Sequence, residues 1–246
     1  MQRLAHLQPD WPAPTNVRAA STLRDGGVSV EPYDTCNLAA HVGDDPQAVR
    51  ENRRRLRGAL RLPSEPCWLE QVHGVSVFEA NSASSSPPRA DAAVARAPGS
   101  VCAVLTADCL PVLFASRDGD RVAAAHAGWR GLAAGVLDNT VGALGLPGRQ
   151  LIAWLGPAIS QNAFEVGDEV RVAFLARDSG NAAAFRANAR GRWQCDLYEL
   201  ARRNLAQLGV RDVHGGGYCT YADNERFFSY RRDGQCGRMA TLIWLE

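Results

Sequence analysis

Residues 101–131 read VCAVLTADCLPVLFASRDGDRVAAAHAGWRG, and this stretch decides the fold. Residues 101–107 and 112–115 are apolar runs of strand length, bounded by Asp108-Cys109 and by the Arg117-Asp118-Gly119-Asp120 turn. The D-G pair is a hairpin signal, and residues 121–125 resume a strand. Helical spacing then runs over 129–146. A hairpin followed at once by a helix predicts an α+β protein with mixed sheets layered with helices. It argues against a doubly wound fold, and no G-x-G-x-x-G is present to bind a dinucleotide.

Outward from this centre, 151–155 reads as a strand stopped by Gly156-Pro157, and 168–176 reads as a helix. Asp196 with Glu199 forms a capping-box-like start for a helix reaching about Leu208. Strands are expected at 213–220 and through 226–246, the latter folded into a hairpin at Asp233-Gly234. On the N-terminal side, 67–72 and 75–79 read as strands around His73-Gly74. Asp45-Pro46 supplies a cap and a first-turn proline for a basic helix over 47–60. Residues 1–44 read as irregular and strand-rich, with a strand at 28–30, and 81–90 as a low-complexity loop. The 80 residues before that loop make a poor independent domain, so the whole of 1–246 is expected to be one domain.

Composition narrows the function. With 27 Lys+Arg against 26 Asp+Glu the chain has no long-range field for nucleic acid or anionic lipid, and no run of 18 apolar residues predicts a membrane span. No secretory signal pattern opens the sequence, and seven scattered cysteines without a C-x-x-C pair suggest reduced thiols in the cytoplasm. All 27 basic residues are Arg, which excludes a Schiff-base lysine and a P-loop lysine.

Side chains with lone pairs near neutral pH carry the chemistry. His73 sits at a break between two strands before a glycine, Cys109 at a strand end beside Asp108 and Pro111, and His126 at the end of a small-residue strand before Gly128. Each has an ordinary reading: a surface turn histidine, a buried apolar cysteine, a core histidine. Taken together, two imidazoles and one thiolate with a vacant fourth position form a pattern for catalytic zinc, and the same donors suit copper. A nucleophilic Cys109 with His126 or His73 as base is a competing reading. His6 falls in an expected frayed terminus, and His214-Gly215-Gly216-Gly217 reads as a glycine-rich strand edge or turn. The aromatic and arginine-rich tail around Arg231 suits an anion or a stacked base, or simply a solvated hairpin face.

Gln71-Val72-His73-Gly74, Ala107-Asp108-Cys109-Leu110-Pro111, His126-Ala127-Gly128-Trp129-Arg130-Gly131 and Phe228-Ser229-Tyr230-Arg231-Arg232-Asp233-Gly234 resemble the motifs of the YfiH-type laccase-domain family. Its members are described as purine nucleoside phosphorylases, polyphenol oxidases and peptidoglycan-editing factors. The resemblance continues through Asn37-Leu38, residues 42–45, residues 155–159 and residues 237–240, in the family's order. Gln235-Cys236 stands where the family often has Thr nearby. The resemblance implies metal ligands, also catalytic, at His73, Cys109 and His126. It implies a layered α+β fold similar to that of a bacterial toxin deamidase. It further implies zinc-dependent phosphorolysis of adenosine, inosine and methylthioadenosine, and deamination of adenosine. Nucleoside and phosphate would then be the partners, with Arg231 as a phosphate holder, Arg130 a weaker candidate and Asp108 a candidate acid. Copper polyphenol oxidation, cysteine-type hydrolysis of peptidoglycan precursors and a non-catalytic scaffold are the competing readings.

Overall fold

The computed structural model describes residues 4–80 and 86–246. The strands are β1 (His6–Leu7), β2 (Val17–Thr22), β3 (Val77–Glu79), β4 (Ala92–Ala95), β5 (Val101–Thr106), β6 (Leu110–Ser116), β7 (Val122–Ala127), β8 (Leu151–Leu155), β9 (Glu165–Val166), β10 (Phe185–Ala187), β11 (Trp193–Cys195), β12 (Asp212–Gly215) and β13 (Met239–Leu245). The helices are α1 (Pro46–Leu60), α2 (Trp129–Ala134), α3 (Val136–Leu144), α4 (Asp168–Arg177), α5 (Leu197–Gln207) and α6 (Tyr230–Asp233).

A six-stranded sheet, ordered β12-β8-β6-β7-β4-β3, contains both parallel and antiparallel pairs. Its central strands are buried on both faces, which is why they read as unbroken apolar runs. On one face Ala92, Val112, Ala123 and Ala125 pack against Leu132, Val136, Leu137 and Leu200 of the helices. On the other face Ala93, Leu113, Ala124 and Trp154 meet Cys102, Val104 and Ile243 of a second sheet, ordered β1-β2-β13-β5. The far side of that second sheet, through Ala103, Leu105, Leu242 and Trp244, covers Leu38, Leu56 and Trp68. The layers therefore run helices, six-stranded sheet, four-stranded sheet, helix α1: an α+β fold with mixed sheets, as expected. Among the described residues, no helix is long and apolar enough to cross a membrane.

The central hairpin, the helix over 168–176 and the caps at Asp45 and Asp196 follow the sequence reading; each cap's carboxylate accepts a first-turn N–H. Five expectations are corrected. Residues 28–30 form no strand; Val30 is 74% exposed, and the segment hangs on side chains of its neighbours. Residues 67–72 make only isolated bridges, Cys67 to Cys102 and Glu70 to Arg89. The helix over 129–146 is two helices, because Gly135 lies at φ +103, where only glycine turns freely. The strand over 213–220 ends at Gly215. The C-terminal hairpin is absent: Ser229 caps α6 by accepting the Arg232 N–H, and β13 runs between β2 and β5. The low-complexity loop lies partly outside the described residues; of the rest, Arg89 bridges Glu70 and Ala90 is buried.

Candidate metal centre

Cys109 and His126 are brought together by the β6–β7 hairpin. Leu110 pairs with Ala127, so the residue before one strand lies beside the residue after the other, Gly128. A Cβ at Gly128 would stand 3.0 Å from the Cys109 sulfur and 2.9 Å from Cδ2 of His73, so only glycine lets the three segments close up here. His73 reaches the same point from the turn before β3, with its backbone in the left-handed region at φ +58. The ligand atoms of His73, Cys109 and His126 all lie within 4.8 Å of one another, with Cys109 Sγ 3.8 Å from His73 Nε2. The two imidazoles stand edge to face, centroids 4.8 Å apart. His126 is buried, Cys109 half-buried and His73 exposed, so the cluster opens to solvent on the His73 side.

Asp91, fully buried, stands behind this cluster. It precedes β4, and the β4–β7 register of Ala92 opposite Ala125 sets Asp91 opposite His126. Its Oδ1 is 2.9 Å from His126 Nδ1 and accepts the His73 N–H at 2.9 Å. Its Oδ2 accepts the N–H groups of Gly74 at 2.6 Å and Val72 at 3.2 Å. The sequence reading missed Asp91, whose one local signal is a lone carboxylate at the head of a small-residue strand.

Charge is distributed accordingly. Burial pushes the Cys109 thiol up, but the imidazoles of His126 and His73 outweigh it and bring the thiol down to about 6. Burial pushes His126 down, but the Cys109 thiolate and the Asp91 carboxylate raise it to about 9. Burial also works against the charge of Asp91, while His126 and the Gly74 and Val72 N–H groups hold its carboxyl below the usual range. Without a metal, the site is thus a thiolate, an imidazolium and a carboxylate in a row.

A cavity of about 160 Å³ adjoins Cys109, lined by Ala107, Asp108, Trp129, Ile159, Phe164 and Tyr230, with Leu197 and Arg231 completing the wall. Apart from Asp108 and Arg231 this wall is apolar and aromatic, suited to a flat ring. The Arg231 guanidinium lies 5.2 Å from the Phe164 ring and gives one N–H to the Glu165 carbonyl, and among the described residues its other donors meet no hydrogen-bond partner. Arg130 is exposed and stacks on Trp129 instead. Asp108, the candidate acid, is held in place by two hydrogen bonds. Its two oxygens accept the Thr220 hydroxyl at 2.6 Å and the Arg231 backbone N–H at 2.7 Å, so it ties α6 to the Cys109 turn. Of this aromatic wall the sequence reading reached only the tail, with Tyr230 beside Arg231; Trp129 and Phe164 join it from two distant segments.

The three remaining histidines lie elsewhere: His6 is not frayed but pairs with Thr22 in β1–β2, His41 is exposed in a turn before α1, and His214 in β12 bonds Asp212 at 2.7 Å. All seven cysteines are free, and Cys102 is buried within β5 as expected.

The donor set fits a metal ion. A tetrahedral zinc separates its S and N ligand atoms by about 3.3–3.6 Å, close to the Cys109–His73 spacing found here. A histidine whose other ring nitrogen meets a buried carboxylate is also the usual environment of a ligating imidazole. Among the described residues, no second group of three such side chains converges.

Residues 18–246 match the family described as multi-copper polyphenol oxidoreductase laccase. The chain is 58% identical over 243 residues to a Pseudomonas aeruginosa protein named purine nucleoside phosphorylase, covering 98% of this chain and 99% of that one. It is 55% identical over 239 residues to the Escherichia coli purine nucleoside phosphorylase YfiH, covering 97% and 98%. Among solved structures, a Neisseria meningitidis protein superposes with TM-score 0.95 at 51% identity, covering 98% of this chain and 99% of that one. YlmD from Geobacillus stearothermophilus superposes with TM-score 0.89 at 27% identity, each chain covered in full. With a family match over nearly its whole length and YfiH itself among its relatives, the chain belongs to the YfiH-type laccase-domain family.

Proposed function

We propose that this chain is a zinc-dependent purine nucleoside phosphorylase that also deaminates adenosine. One observation carries the reading: a three-ligand Cys/His cluster opens beside an aromatic cavity with an arginine on its wall. The names of the two bacterial relatives support the substrate class.

In phosphorolysis a phosphate oxygen forms a bond to C1′ of the ribose. The C1′–N9 bond breaks, its electron pair leaves on the purine, and N9 takes up a proton. Trp129, Phe164 and Tyr230 present flat faces for the base, and burying it there excludes water from the bond that breaks. The uncommitted donors of Arg231 hold phosphate, with its backbone fixed by Asp108. In deamination, water adds to C6 and ammonia leaves. His73, Cys109 and His126 would hold zinc; when bound, it supplies positive charge that polarises an oxygen of phosphate or water. A multicopper oxidase needs more ligands than this one set provides, so copper is the weaker assignment.

The Asp91–His126–Cys109 line favours one alternative, a metal-free thiolate hydrolase cleaving amide bonds of cell-wall precursors. A single experiment separates the two: metal analysis of wild type and Cys109→Ala, with products from adenosine plus phosphate resolved by chromatography. The phosphorylase reading expects about one zinc per chain, lost in Cys109→Ala, with adenine and ribose 1-phosphate formed by wild type alone. Zinc without free base or inosine overturns the substrate assignment. Activity that survives chelators but not alkylation of Cys109 selects the hydrolase.

A further inference from the structure

We infer that Asp91 is the positioning residue of the metal centre: a single carboxylate fixes both the ring of His126 and the backbone turn that presents His73. The inference rests on the metal reading of the triad and not on the identity of the substrate.

Four donors converge on two oxygens. Oδ1 meets His126 Nδ1 and the His73 N–H; Oδ2 meets the N–H groups of Val72 and Gly74. Three consecutive backbone N–H groups pointing at one side chain hold the turn shut, and this turn carries His73 in its left-handed conformation. The main chain of Asp91 adds two more ties, accepting the His126 N–H at 2.7 Å and donating to Ser76 at 3.0 Å. A carboxylate ringed by fixed N–H donors has no reason to carry a proton, so the proton between it and His126 belongs to Nδ1. The lone pair of His126 is thereby placed on Nε2, the nitrogen left to face Cys109 and a metal.

The arrangement also predicts why amide cannot replace carboxylate. In Asp91→Asn one oxygen becomes an NH2 group. Whichever way the amide turns, that group faces N–H donors that cannot rotate away. Either the His73 turn opens or the His126 ring loses its partner.

The test measures Zn(II) affinity by competition with a chromogenic chelator, in wild type, Asp91→Asn, Cys109→Ala and a control destabilised far from the site. Asn52→Ala serves as that control, or more gently Thr140→Val; both residues are buried and hydrogen-bonded away from the triad. Asp91→Asn is expected to bind zinc roughly 10–100-fold more weakly, with the controls within about twofold of wild type. Equal affinity in Asp91→Asn and wild type overturns the inference, as does an equal loss in the controls. If Asp91→Asn does not fold, nitrogen-resolved NMR of the zinc-loaded wild type decides. A proton on His126 Nδ1 supports the inference, and one on Nε2 sinks it. A wild type that binds no zinc, or a Cys109→Ala that keeps it, is a separate result: it removes the metal reading itself, and this inference with it.

Discussion

Two buried polar side chains organise two irregular stretches of this molecule, and they do so with opposite chemistry. Asn52, on α1, accepts the Val28 N–H at 2.8 Å. Its amide nitrogen donates to the Ser29 hydroxyl and to the carbonyls of Thr35 and Asn37. Asp91 ties the 72–74 turn through acceptors alone. Both are fully buried. The neutral amide balances donors and acceptors among themselves and asks nothing of its surroundings. The carboxylate carries a net charge into the interior, which is costly unless positive charge answers it. Here the answer is His126 and, on the metal reading, the ion beyond it. Charge is buried where chemistry occurs, and an uncharged side chain does the same loop-holding task where it does not.

This contrast predicts that the two sites fail differently. The largest expected change in stability is Asn52→Ala, which strands three buried or part-buried backbone groups at once. It should lower unfolding free energy by about 2–4 kcal/mol in urea titrations. Zinc binding and the chemistry of Cys109 should be untouched. If Asn52→Ala instead impairs metal binding as much as Asp91→Asn does, the two hubs are not separate and the contrast collapses.

The next effect concerns pH. In protein stripped of metal, thiolate at Cys109 forms as pH rises, so alkylation by iodoacetamide should accelerate through a midpoint near 6 and not near the ordinary thiol value. Below that midpoint the sulfur is protonated and the rate falls. The shift draws on the imidazoles of His126 and His73, and the imidazolium at His126 is held by the Cys109 thiolate and, after it, by Asp91. Removing the carboxylate in Asp91→Asn should therefore move the midpoint upward, while Asn52→Ala leaves it near 6. Peptide mass spectrometry of alkylated Cys109 across pH 5 to 9 reads all three. An unmoved midpoint in Asp91→Asn would show that the thiolate is held without the carboxylate.

The same contrast explains what the sequence could and could not reveal. The hairpin at 110–127 was legible because its signals are local: two apolar runs buried on both faces, joined at Asp118-Gly119. The triad was legible because each member stands at a strand end or turn within two residues of a proline or glycine. The segment at 28–30 was not, since it is ordered by Asn52 from another element and not by a pairing partner. The tail misled because its aromatic and basic residues suit a hairpin. The Ser229 cap and the tie from Asp108 to the Arg231 N–H turn it into a helical turn instead. Asp91 escaped for the same reason: its role comes from the pairing of β4 with β7, across more than 30 residues.

Asp108 offers the smallest expected effect and the sharpest comparison with Asp91. Both are aspartates beside the triad, and both have their oxygens occupied. The partners differ in kind. Asp91 faces the His126 ring and three backbone N–H groups, and the backbone donors cannot reverse. Asp108 faces one backbone N–H, from Arg231, and one hydroxyl, from Thr220, which can. An asparagine at 108 keeps both contacts: its oxygen accepts from Arg231, and its NH2 donates to a rotated Thr220 hydroxyl. Asp108→Asn should therefore leave zinc affinity unchanged and kcat for phosphorolysis within about threefold of wild type. A general acid at this position would instead cost about 100-fold or more. Asp108→Ala, which frees the Arg231 backbone, should raise KM for phosphate more than it lowers kcat. The pair of variants thus separates a group that positions the arginine proposed to hold phosphate from one that transfers a proton. A large fall in kcat in Asp108→Asn would return Asp108 to the chemistry and end the distinction drawn between the two carboxylates.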